Sequence, residues 1–246
     1  MTLDYRLTDR IGSRAVLGLI VLQTDETIEP EFRRMFTAPD VATYVSRVPS
    51  GADVTPDTLA AMEAELPRAA SLLPAALEFG AIGYGCTSGS TVIGPDRVAE
   101  LVTGAASVRA VTNPISAVLA GLTALGVRRI GMLTPYIEAV TAPMRAALQA
   151  RGFEVTSSVS FEEVEDARVA RIDPASTREA ALVAGQGEAE AVFISCTNLR
   201  TLDVIDDIEA TLGKPVISSN QALAWHMAGL AGITCDNGFG ALMRRD

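Results

Sequence analysis

Short β-branched runs alternate with Ala- and Leu-rich segments of helical period along the 246-residue chain, and the alternation repeats once. The run Arg14-Ala15-Val16-Leu17-Gly18-Leu19-Ile20-Val21 has a counterpart in Arg128-Arg129-Ile130-Gly131-Met132-Leu133-Thr134. Each is followed by a helix, further βα units and a strand ending in Cys-Thr. Gly18 lies 68 positions before Cys86, and Gly131 lies 65 positions before Cys196. Alternating βα units build mostly parallel sheets flanked by helices, so the pattern predicts an α/β protein of two pseudo-symmetric halves. Ligands of such sheets bind at the carboxyl ends of the strands, which places the site in the cleft between the halves. The boundary falls near Thr112-Asn113-Pro114, giving halves 1–112 and 113–246, and the last helix could pack back on the first half.

Strands are expected at 15–22, 43–48, 81–84, 106–111, 129–133, 154–158, 191–194 and 215–217. The clearest helices are expected at 58–78, 114–125, 137–150, 176–184, 199–212 and 221–227, several preceded by Asp, Ser, Thr or Asn able to cap them. Gly126 and Gly152 follow a helix and precede a strand, as a left-handed helix end requires.

Two of the three cysteines sit in matching settings, Gly85-Cys86-Thr87-Ser88 and Ser195-Cys196-Thr197-Asn198, each after an apolar strand and before polar residues expected to open a helix. One such Cys also suits core packing, because a free thiol behaves as a small hydrophobe. Two in equivalent places suggest a pair of acid/base groups facing one substrate. Beside free backbone N–H groups and a helix N-terminus, a thiol pKa is expected to fall toward neutrality. Thr87, Ser88, Thr197 and Asn198 would add donors for a carboxylate or a developing enolate oxygen. Cys235 has no such context and reads as structural.

Composition narrows the partners. A net charge of −10 opposes nucleic acid and anionic membrane, both of which need a basic surface, and leaves a small molecule. Three widely spaced cysteines and one histidine assemble no zinc spacing, so no metal is expected. The N-terminal residues lack the basic start and apolar core of a signal peptide, and no apolar stretch is long enough to span a bilayer. A cytoplasmic enzyme is the expectation.

The Cys-Thr-Ser-Gly-Ser and Ser-Cys-Thr-Asn strand ends, with Leu133-Thr134-Pro135-Tyr136 opening the second half, resemble the aspartate/glutamate racemase superfamily over nearly the whole chain. Within it they are most similar to the branch of maleate cis-trans isomerases and arylmalonate decarboxylases. The resemblance implies two Rossmann-like halves, no cofactor, frequent homo-oligomers, and one thiol on each side of a small carboxylate substrate. In the racemases one thiolate removes the α-proton and the other thiol protonates the opposite face. In the maleate isomerases the first cysteine adds to the double bond, rotation follows, and the adduct collapses. Carried over, Cys86 is the nucleophile or first base, Cys196 its partner, and Tyr136 a hydroxyl donor to a substrate carboxylate. Thr87, Ser88, Thr197 and Asn198 become further carboxylate anchors. Decarboxylases of the branch keep only the second cysteine, so Cys86 favours isomerisation or racemisation.

One stretch departs from the branch. Where maleate isomerases carry a Pro-Ser-Ser-Asn-like turn, this chain reads Leu22-Gln23-Thr24-Asp25-Glu26-Thr27-Ile28-Glu29, with Asp25 on the asparagine's position. An anion there would repel a dicarboxylate, raise a nearby thiol pKa and draw in an amino-bearing substrate; the plainer role is to cap the helix starting near Thr27. The same stretch resembles the protein of this branch found with ectoine-utilisation genes, which implies diaminobutyrate or its N-acetyl derivatives as substrates. A malonate-type decarboxylase and a non-catalytic small-molecule binding protein are the competing readings. His226, Arg171 and Asp173 read as packing, turn and capping residues, Gly83-Tyr84-Gly85 is no dinucleotide fingerprint, and the acidic run from Glu162 to Asp166 reads as a solvated connection.

Overall fold

The computed structural model describes residues 2–236 and 238–245. Its two four-stranded sheets are wholly parallel and share one topology. Strands β1 (Ala15–Leu22), β2 (Val41–Val48), β3 (Ala81–Gly85) and β4 (Val111–Thr112) lie in the order β2-β1-β3-β4. Strands β5 (Arg129–Thr134), β6 (Glu154–Ser160), β7 (Ala191–Ile194) and β8 (Val216–Ser218) repeat it as β6-β5-β7-β8. Every residue of β1, β3, β7 and β8 is buried, as expected of parallel strands covered on both faces.

In each half the chain leaves its first strand toward one edge and returns to the other side of it. Such a reversal opens a crevice at the carboxyl ends of the two central strands. Register decides what stands there. Val21 pairs with Gly85, which sets the turn after β1 beside Cys86. Leu133 pairs with Ile194, which sets Thr134, Pro135 and Tyr136 beside Cys196.

Helices α1 (Ile28–Met35), α2 (Pro56–Ser71), α3 (Thr87–Ile93), α4 (Pro95–Thr103), α5 (Pro114–Leu125) and α6 (Glu138–Ala150) join the earlier strands. Helices α7 (Asp166–Val169), α8 (Pro174–Ala184), α9 (Ile205–Leu212), α10 (Ser219–Ala231) and α11 (Gly240–Met243) follow. Helix α10 lies on β3 of the first half: a Cβ on Gly83 would come within 2.5 Å of Met227 Sδ. None of the helices is long and apolar enough to cross a membrane among the described residues.

Three expected elements differ. The helix foreseen over 58–78 ends at Ser71, where Leu72 and Leu73 turn back onto the Ala69 and Ala70 carbonyls ahead of Pro74. The strand foreseen at 106–111 is only Val111–Thr112, with a single bridge from Val108 to Phe79. The helix foreseen over 199–212 starts at Ile205, because the chain after Cys196 is a loop held by side chains from α1 and α10.

Candidate active site

Cys86 is the N-cap of α3, with extended φ −147° and ψ 113°, and its Sγ accepts a hydrogen bond from the Gly89 N–H at 3.2 Å. Ser88 Oγ stands 3.8 Å from the sulfur. Gly89 permits the arrangement, since a Cβ there would lie 2.8 Å from both the Cys86 sulfur and the Tyr84 hydroxyl.

Cys196 is built differently. Its φ is +113°, a conformation that L side chains rarely adopt and that persists only where surrounding contacts hold it. Its N–H donates to Ser219 Oγ at 3.1 Å, and its sulfur accepts from the Asn198 N–H at 3.3 Å. No helix begins there, which corrects the expectation that both cysteines open one.

The two loops are stitched across the halves by their threonines. Thr87 Oγ1 donates to Ser219 Oγ at 2.8 Å, beside Cys196. Thr197 Oγ1 donates to the Gly85 carbonyl at 3.2 Å, beside Cys86. The stitching brings Cys86, Ser88, Tyr136, Cys196 and Thr197 to one narrow cleft, whose apolar wall includes Leu22, Val54, Leu59 and Met62. The other three residues singled out in the sequence stand outside that lining. Thr87 is bonded to Ser219, and Asn198 clamps backbone, accepting from the Glu26 N–H at 2.8 Å and donating to the Asp166 carbonyl at 3.2 Å. Asp25 caps α1, as its plainer role foresaw: Oδ1 accepts from the Thr27 and Ile28 N–H groups, both at 2.8 Å.

Both thiols are 2% exposed, and burial decides their protonation. Desolvation pushes Cys86 up to about 11, outweighing the Gly89 N–H and the Ser88 hydroxyl. Cys196 is raised well above the ordinary thiol range by desolvation and then by the charge of Asp166, against the stabilising Tyr136 hydroxyl and Asn198 N–H. The expected fall toward neutrality is thus reversed, and burial favours the neutral form of both thiols. Tyr136 itself is buried and raised by desolvation and the neighbouring sulfurs.

Two acids went unread in the sequence. Asp166, at the end of the supposedly solvated run, is buried in the cleft wall and accepts the Thr24 hydroxyl at 2.5 Å. Glu31, on α1, lies beneath the Cys196 loop and accepts from the Thr201 and Leu202 N–H groups at 3.0 and 3.2 Å and from Asn220 Nδ2 at 2.7 Å. Asn220 Nδ2 also donates to the Thr197 carbonyl at 2.8 Å. Burial raises Glu31 to about 7 and Asp25 to about 6, against the N–H donors that each carboxylate accepts. The sequence signal was a charge on an otherwise apolar helix face for Glu31 and one more acid in an acidic run for Asp166, and neither separates a buried acid from a solvated one. His226 pairs with Thr112 at 2.8 Å, Arg171 with Glu26 at 3.3 Å, and Asp173 caps α8; none lines the cleft.

Residues 17–243 match the arylmalonate decarboxylase (Amdase) family, and the chain belongs to it. It is 36% identical to the arylmalonate decarboxylase of Bordetella bronchiseptica over 123 residues, 49% of this chain and 51% of that enzyme. It is 28% identical to the maleate isomerase of Nocardia farcinica over 242 residues, 94% of this chain and 96% of that enzyme. A crystal structure of a mutant Nocardia farcinica maleate cis-trans isomerase, with a covalently bound succinylcysteine intermediate, superposes with a TM-score of 0.85 at 25% identity. It covers 94% of this chain and 99% of that one.

Proposed function

We propose that this enzyme is a cofactor-independent isomerase or racemase that uses Cys86 and Cys196 on a small carboxylate substrate, an amino or N-acetylamino acid of ectoine breakdown. The observation that carries the reading is the delivery of two thiols to one cleft by equivalent strand ends of two like-folded halves. For racemisation, the Cys86 thiolate takes the α-proton and the electron pair moves into the carboxylate as an enediolate. The Cys196 thiol then donates its proton to the opposite face and becomes the thiolate. For cis-trans isomerisation, the Cys86 thiolate bonds to one alkene carbon as the π pair moves into the conjugated carboxylate, the resulting single bond rotates, and the returning pair re-forms the alkene and expels the thiolate. Ser88 and Tyr136 hold the charge that develops on the carboxylate, where preorganised donors act most strongly in a closed site, while the Thr197 hydroxyl stays on the Gly85 carbonyl. Thr87 and Asn198 hold the two loops. Because both thiols rest neutral, each step must draw its thiolate from a binding event that offsets desolvation.

Decarboxylation of a malonate-type acid is the second reading, favoured by the apolar wall of Leu22, Val54, Leu59 and Met62, which would destabilise one carboxylate. Cys196 alone would then reprotonate the product.

Proton NMR in deuterated water separates these readings. L-2,4-diaminobutyrate and its N-acetyl derivatives are tested beside maleate and phenylmalonate, with Cys86→Ala and Cys196→Ala variants. Loss of an α-proton signal that needs both cysteines is expected. Turnover of phenylmalonate that survives Cys86→Ala would replace the isomerase by the decarboxylase, and turnover of maleate alone would remove the amino-acid substrate. Ligand binding without turnover of any of them would make the chain a binding protein.

A further inference from the structure

We propose that Asp166 sets the substrate class of the cleft, excluding a second carboxylate and selecting a carboxylate substrate whose other end is an ammonium or amide donor. The proposal rests on the reading of this cleft as the substrate site. Three separate segments hold Asp166 in place. Its Oδ2 accepts the Thr24 hydroxyl at 2.5 Å, its N–H donates to the Ala52 carbonyl at 3.0 Å, and its carbonyl accepts from Asn198 Nδ2 at 3.2 Å. Oδ1 receives no such bond among the described residues, and the side chain lines the same cleft as both cysteines.

The charge balance of that cleft is one-sided. Asp166 and Asp53 are its charged side chains, and no Lys, Arg or His lines it among the described residues. A dicarboxylate seated there would present its second anion to Asp166 with no cation to offset it, and an unpaired buried charge is strongly disfavoured. An ammonium instead pairs with a carboxylate that is already desolvated and already held, so little ordering remains to be done on binding. Such a substrate also relieves the field that Asp166 exerts on both thiols. The right ligand therefore eases thiolate formation and the wrong one opposes it. Asp25, whose Oδ1 is committed to capping α1 and which stands outside the lining, supplies background charge rather than the contact.

The test compares alkylation of Cys86 and Cys196 by iodoacetate, an anion, and by iodoacetamide, its neutral counterpart, read by peptide mass spectrometry. Both reagents react with the thiolate, so their rate ratio cancels the thiolate fraction and reports the charge of the cleft. Asp166→Asn should raise the iodoacetate-to-iodoacetamide ratio at both cysteines roughly tenfold or more, the effect of removing one charge from their shared cleft at an effective dielectric of about 20. Cys235, which stands outside the cleft, serves as the reference and should not change. Asp166→Glu keeps the charge and should keep the wild-type ratio. An unchanged ratio in Asp166→Asn, or an equal change in Asp166→Glu, overturns the proposal. A second arm needs no variant: L-2,4-diaminobutyrate should protect both wild-type thiols from iodoacetamide better than maleate does, and equal or better protection by maleate overturns it. Absence of turnover in the NMR experiment would remove the isomerase reading while leaving the reagent ratio intact, so the two failures are distinguishable.

Discussion

Cys86 and Cys196 occupy equivalent places in two halves of identical strand order, yet their backbones are held by different means. Cys86 is held locally: it enters α3 with an ordinary extended backbone, and the helix's own N–H at Gly89 reaches its sulfur. Cys196 is held from a distance, at positive φ, by Ser219 on α10 and by a loop that Glu31 and Asn220 pin from beneath. The second thiol therefore depends on the contact between the halves in a way the first does not. The same dipeptide at the same point of a repeated fold can be positioned by secondary structure or by tertiary contacts, and the two should respond differently to mutation.

The largest effect is expected at Gly89, which belongs to the local arrangement alone. Gly89→Ala would place a methyl 2.8 Å from both the Cys86 sulfur and the Tyr84 hydroxyl and 3.0 Å from Met62 Cε, too close for the sulfur to stay where it is. A displacement of that size lowers turnover on the order of 10²-fold, with a stability loss of about 1–3 kcal/mol from overpacking. The position three residues after Cys196 is Leu199, fully buried, so the second loop has no counterpart to this constraint. Turnover and the melting temperature of Gly89→Ala check it, and wild-type turnover would show that Cys86 is not held as described.

Glu31 tests the distant arrangement. Glu31→Gln replaces an acceptor of three donors by a group that must turn an N–H toward at least one of them, at a cost of about 3 kcal/mol. Alkylation of Cys196 should change and that of Cys86 should not. The pH dependence has a definite sign. The folded pKa of Glu31 is raised from 4.5 to about 7, so the folded state binds the extra proton, and stability falls as pH rises through that window, by about 3 kcal/mol. Asp25, raised from 3.8 to about 6, acts in the same direction over its own window. Denaturant titrations from pH 4.5 to 7.5 should show the fall in the wild type and a shallower one in Glu31→Gln; parallel curves would mean that Glu31 does not titrate there.

Ser219 joins the two arrangements, since one oxygen accepts both the Thr87 hydroxyl and the Cys196 N–H. Ser219→Ala leaves two buried donors unpaired and should cost about 1–3 kcal/mol. Thr87→Ala should cost less, because it removes one donor and leaves no N–H stranded. A double-mutant cycle over the two positions checks the shared bond, and strict additivity would mean that it contributes nothing.

The continuous apolar strands were legible because parallel strands buried on both faces read as uninterrupted β-branched runs, and the doubled order of elements followed from them. The meeting of Cys86, Cys196 and Tyr136 was legible because strand ends in such a fold converge. What escaped depended on tertiary contact. Leu199 and Leu202 stand three apart, as on a helix face, but they anchor a loop whose N–H groups go to Glu31. Asp166 sits in an acidic run that resembles a solvated face, and its partners Thr24, Ala52 and Asn198, all distant in sequence, are what mark it as buried. The pKa of the thiols was misjudged for a related reason: a helix N-terminus is visible in sequence, whereas the desolvation that outweighs it appears only once the cleft is closed.

The smallest expected effect is also the cleanest contrast between the two loops, because it reverses sign. With the thiol removed, Gly and Ala at each position differ mainly in backbone preference. At Cys196, φ +113° is open to glycine and strained for alanine, so Cys196→Gly should be more stable than Cys196→Ala by about 1 kcal/mol. At Cys86, φ −147° suits any residue, so Cys86→Gly should be less stable than Cys86→Ala, by about 0.5–1 kcal/mol, through the larger entropy of the unfolded glycine chain. Denaturant midpoints of the four variants measure both differences without any substrate. The same order at both positions would mean that the Cys196 loop relaxes once its sulfur is gone, and that the thiol, rather than Ser219 and Glu31 alone, holds the strained backbone.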